Sequence, residues 1–96
     1  MINYIPHGLE NAKPRKDIIQ DMAKDGFIVG DREFRKGIKE LVKNKKELVC
    51  TTSKGGYYYP LSMEEVEISL REDNSRISKL IADREAKKSM AMEMGL

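Results

Sequence analysis

Between Gly30 and Lys46 the chain carries seven basic residues against three acids, a local charge of +4. Five of these, Arg32, Arg35, Lys36, Lys39 and Lys43, recur at spacings that form one continuous stripe on a helix. Such a stripe suits contact with a polyanion, whose phosphates it neutralises and whose exposed acceptors it can hydrogen-bond. Bond-making chemistry has far less to draw on. A single His and a single Cys cannot supply a Ser–His–Asp triad with a spare His or a four-ligand zinc site of the usual kind, so neither an enzyme nor a cofactor is expected. His7, between Pro6 and Gly8, reads as a turn residue. Cys50 lies in a strand-like apolar alternation and reads as a buried, inert thiol. Glu64, Glu65 and Glu67 suit the dipole at a helix start and need no acid–base role.

The elements that position the stripe follow from periodicity. Phe34, Ile38, Leu41 and Val42 form the apolar face of the same helix, which runs from Asp31, a plausible N-cap, to about Asn44. Like charges along the opposite face repel, and Gly37 costs about 1 kcal/mol in mid-helix, so this helix gains something elsewhere. An earlier helix is predicted with Pro14 in its first turn, Ile18, Ile19, Met22 and Ala23 as its apolar stripe, and an end near Asp25–Gly26. Phe27–Ile28–Val29 reads as a buried turn or a strand-like step. Before these helices, Ile2, Tyr4, Ile5 and Leu9 read as a short element packed on the core.

After the basic helix, Lys45–Lys46–Glu47 forms a turn. Leu48–Ser53 and Tyr57–Tyr59 then read as a hairpin whose tip is Lys54–Gly55–Gly56. Strand alternation places Tyr58 opposite Tyr57 and Tyr59, one face toward the core and the other free to stack on a base or sugar or to cover a helix. Ser62-x-x-Glu65 is a capping-box pattern opening a last helix of some thirty residues. Its apolar positions include Val66, Leu70, Ile77, Leu80 and Ile81. Asp73, Arg84 and Lys87 interrupt any strict heptad, so a long two-stranded coiled coil is not expected, and Met90, Met92 and Met94 suggest a frayed end.

The whole chain has 96 residues, 40% hydrophobic and 35% charged, which bounds it to one domain and an appendage. Ile, Leu, Val and Phe together number 22, enough for a small core without Trp. Residues 1–60 carry +4 and residues 61–96 carry −2. No apolar run approaches membrane-spanning length, and Met1–Ile2–Asn3–Tyr4 lacks a signal-peptide layout, so no membrane contact is expected. A lone cysteine fits a reducing cytoplasm.

Pro6–His7–Gly8 with Asn11–Ala12, Asp31–Arg32 with Arg35, Ile38 and Leu41, Gly56–Tyr57–Tyr58, and Arg76 occur in a telling order. In these residues the chain resembles the small phage- and prophage-encoded winged helix-turn-helix proteins of Gram-positive bacteria, over roughly Tyr4 to Ile81. The resemblance implies a mainly α fold with a small antiparallel β-wing. A winged helix-turn-helix would span residues 1–61, and a long C-terminal helix residues 62–96. It also implies binding of double-stranded DNA in replication or transcription control. Arg32, Arg35, Lys36 and Lys39 would then approach base edges. Lys43, Lys45, Lys46, Arg15 and Lys16 would hold phosphates, and Lys54 a phosphate or the adjacent minor groove. The last helix would make a homodimer or dock a partner protein. A competing expectation keeps the fold but makes the protein an interaction module that inhibits or recruits a host nucleic-acid enzyme.

Overall fold

The structure, a computed structural model, describes residues 4–96; Ile2 of the expected N-terminal element lies outside them. A 3-10 turn (Leu9–Asn11) precedes β1 (Lys13–Pro14), α1 (Arg15–Lys24), α2 (Asp31–Lys43), β2 (Cys50–Thr51), β3 (Gly56–Tyr58) and α3 (Met63–Glu93). The described chain is mainly helical with a small antiparallel sheet of three strands in the order β1–β3–β2.

Strand β1 is a finding with no counterpart in the sequence reading. Pro14 lies outside the first helical turn, with extended backbone (φ −61°, ψ 147°), and caps α1 from the end of β1. There it pairs with Gly56, while Lys13 pairs with Tyr57. Proline fits because β1 is an edge strand, where a missing N–H leaves no gap in the ladder's interior. Gly56 permits the approach. A Cβ at this position would stand 3.2 Å from that of Ala12 and 3.1 Å from Thr52 Oγ1.

Helix α1 buries Ile18 and Met22, and α2 buries Phe34 and Ile38. These residues join Ile5 and Val49 in one core, closed by Tyr57, whose ring meets Phe34 edge-on at 5.3 Å and 87°. Gly26, at φ 88°, ends α1 in a Schellman turn: its N–H donates to the Ala23 carbonyl, and the Phe27 N–H to that of Met22. This turn directs the following residues outward. Phe27 and Ile28, expected to be buried, are 56% and 81% exposed. The N-cap of α2 is Gly30, not Asp31. Asp31 is the first helical residue, and its carboxylate engages side chains instead of backbone N–H groups.

The hairpin is present with shorter strands than expected. All three tyrosines are buried, Tyr58 completely. Tyr57 faces the α1–α2 core, while Tyr58 lies under α3 and donates its hydroxyl to the Glu65 carbonyl at 3.0 Å. Both sheet faces are therefore covered, and neither is free to stack on a base.

Helix α3 docks through polar contacts. Ser62 Oγ accepts the Glu65 N–H at 3.3 Å, half of the expected capping box. The Glu65 carboxylate is used elsewhere, accepting the N–H groups of Leu61 at 2.9 Å and Leu9 at 3.0 Å. One turn on, buried Ser69 Oγ accepts the Thr51 N–H at 3.4 Å and donates to the Thr51 carbonyl at 3.3 Å, closing the outer edge of β2. The helix then continues alone, which gives the chain dimensions of 56 × 32 × 24 Å. Its methionine-rich end, expected to fray, is helical through Glu93. A Schellman turn at Gly95 closes it, the Leu96 N–H donating to the Ala91 carbonyl.

Candidate nucleic-acid interface

Packing of Phe34 and Ile38 into the core fixes the rotation of α2, and the opposite face turns outward. Arg32, Arg35, Lys36, Lys39 and Lys43 are all exposed along it. The five form one ridge over about 17 Å of helix, from the 1.5 Å rise per residue. Four of them, Arg32, Arg35, Lys36 and Lys39, line a shallow depression of about 350 Å³.

Asp31 organises the start of this ridge. One carboxylate oxygen accepts from Arg15 Nε, at the first residue of α1, and the other lies 3.3 Å from Arg35 Nε. Two guanidinium groups from different helices thus meet on one acid. The Arg15 guanidinium is pushed above its ordinary pKa by the Tyr57 hydroxyl and then by Asp31, so its charge is secure. Arg35 approaches this acid through Nε, and among the described residues it pairs with no other acid.

Beside the ridge, a groove of about 500 Å³ separates α2 from α3. Arg35, Lys39 and Lys43 form one wall and Asp73 and Arg76 the other, over an apolar floor that includes Ile38 and Tyr57. Arg76 pairs with Asp73. Sequence reading placed Arg76 in the trailing helix without assigning it to the site. The missing signal was the docking of Ser69, which brings the residue two turns later onto the same side of α3.

The remaining expected cations are dispersed. Lys54 stands exposed at the wing tip. This tip is held by the Thr52 N–H to the Gly56 carbonyl at 2.8 Å and the Gly56 N–H to Thr52 Oγ1 at 2.9 Å. Gly55 adopts φ 86° there. Lys45 and Lys46 lie beyond the C-terminal end of α2, about 20 Å along the axis from Arg32. Lys16 is exposed in the first turn of α1. The structure therefore joins Arg15 to the five-residue ridge and leaves Lys16, Lys45, Lys46 and Lys54 as separate outposts.

The His7 ring lies 5.1 Å from that of Tyr59, whose phenol donates to Glu47 at 2.8 Å and is raised above its usual pKa by burial and by that carboxylate. Burial likewise pushes the Cys50 thiol up, as for an unreactive core cysteine. Among the described residues no group of three or more His, Cys, Asp or Glu is placed to hold a metal ion. No described helix is long and apolar enough to cross a membrane. No protein-family model, curated protein or solved structure matches this chain, so the functional reading rests on the ridge and its surroundings.

Proposed function

We propose that the protein binds double-stranded DNA as a winged helix-turn-helix, with α2 as the recognition helix and the β2–β3 hairpin as the wing. The observation that carries this reading is the exposed five-cation ridge on the face of α2 opposite its core contacts, with a glycine-tipped hairpin following it in the chain. A helix of this width fits a major groove about 12 Å across, and residues near its N-terminus come closest to the base edges.

Arg32 and Arg35 are the base-reading candidates, since a guanidinium spans guanine O6 and N7 with two parallel hydrogen bonds. Asp31 supports this role for Arg35 by drawing its guanidinium toward the start of α2. Lys36, Lys39 and Lys43 hold phosphates on either side, Arg15 reaches the backbone from α1, and Lys54 does so from the wing. Residues 1–61 act as the DNA-binding unit in replication or transcription control within the host cell.

Fluorescence anisotropy with a random-sequence duplex tests the reading. With about five phosphate contacts, affinity falls at least a hundredfold between about 50 and 200 mM salt. Exchanging Arg35 and Lys39 for Glu abolishes binding while the circular dichroism spectrum stays unchanged. A flat salt response, or undiminished binding by the exchanged variant, overturns the proposal. Weak binding even at low salt would favour the competing role, docking on an acidic surface of a host enzyme.

A further inference from the structure

Helix α3 leaves the body with an apolar stripe uncovered. Leu70, Ile77, Leu80 and Ile81 are 50%, 53%, 67% and 48% exposed, and Met63 and Met94 are exposed at the two ends. In a small protein such a stripe marks an interaction surface. Its spacing is regular. Met63, Leu70, Ile77, Arg84 and Ala91 recur every seven residues, and Val66, Asp73, Leu80, Lys87 and Met94 follow each by three. These are the a and d positions of a coiled-coil seam, broken only by Asp73, Arg84 and Lys87.

We propose that this stripe pairs with the same stripe of a second copy, the two α3 helices running antiparallel. The three interruptions identify the occupant and its direction. In an antiparallel pair an a residue faces a d residue of the other chain. With Ile77 placed against Leu80, Asp73 falls against Arg84, Val66 against Ala91 and Met63 against Met94. The acid that breaks one seam therefore meets the arginine that breaks the other, twice by symmetry. Lys87 faces Leu70, where its stem covers the leucine and its ammonium reaches water.

The flanking charges agree with the same register. Glu67 comes beside Lys88, and Arg76 beside Asp83. A parallel, in-register pair would instead set Asp73 on Asp73, Arg84 on Arg84 and Lys87 on Lys87, three like-charge contacts inside the seam. Charge complementarity thus selects a second copy of this chain in one orientation. In the single chain Asp73 is neutralised by Arg76 on its own helix; pairing exchanges that neighbour for Arg84 and releases Arg76 to Asp83.

Sedimentation velocity on the full chain tests the inference, independently of any DNA reading. The protein is expected to be dimeric at concentrations on the order of 10–100 μM. Asp73→Lys and Arg84→Glu each set like charges across the seam and weaken the dimer at least about tenfold. The double variant Asp73→Lys/Arg84→Glu restores it, an outcome that also excludes simple misfolding of the single variants. Direction is read by oxidative crosslinking: a Met63→Cys chain mixed with a Met94→Cys chain gives covalent dimers, whereas Met94→Cys alone does not. A monomer throughout the concentration range overturns the proposal and assigns the stripe to a different protein. Self-crosslinking of Met94→Cys, or failure of the double variant to recover, overturns the antiparallel arrangement.

Discussion

Lys45 closes a helix in a conformation that disfavours any side chain. It adopts φ 56°, in the region that glycine occupies in the Schellman turns after α1 and α3. Its N–H donates to the Val42 carbonyl and that of Lys46 to Leu41, so the geometry is required to close α2. A side chain in this conformation costs about 1–2 kcal/mol, against a smaller entropic cost for glycine. Lys45→Gly is therefore expected to stabilise the fold by about 0.5–1 kcal/mol, read from the urea midpoint. If Lys45 holds a phosphate, the same variant makes the salt dependence of DNA binding shallower by about one contact. Stability and affinity would then move in opposite directions.

At the scale of elements, the contact between α3 and the outer strand β2 runs through one hydroxyl. Ser69 satisfies both backbone groups of Thr51 on an outer strand. Ser69→Ala leaves them unpaired in a partly buried place, an expected loss of about 1–3 kcal/mol with faster hydrogen exchange at Thr51. Helices α2 and α3 were legible in the sequence because each repeats its apolar period several times, and the hairpin because a β-branched run and a run of tyrosines flank the Lys54–Gly55–Gly56 turn. Strand β1 was not, since two residues cannot display an alternation, and Pro14 suits a helix start as well as a strand end. Phe27 and Ile28 misled because hydropathy registers side chains, while a left-handed glycine just before them decided their direction. The ridge itself was legible as a stripe of cations. Its clamp at Asp31 was not, because the meeting of Arg15 with Arg35 depends on the packing of α1 against α2.

For the molecule as a whole, the buried and carboxylate-facing phenols set an upper pH limit. Burial raises Tyr58 and Tyr59, and the Asp25 hydrogen bond raises Tyr4. The folded state thus keeps protons that the unfolded chain releases once pH passes the ordinary tyrosine value. This contribution is fully present below about pH 10 and is lost as pH rises toward the higher folded values. Thermal melts should accordingly decline above about pH 10, with phenolate absorbance appearing together with unfolding, and Tyr59→Phe should reduce that pH dependence.

The strand order has a consequence for the birth of the protein. β3 is the middle strand and also the last of the three in the chain, with both its neighbours already made before it. While the polypeptide is being synthesised from its amino end, α1 and α2 must wait beside the emerging chain with Phe34 still lacking Tyr57. The platform that unites them closes only when residues 56–58 clear the ribosome's exit, and α3, which covers Tyr58, docks only after that.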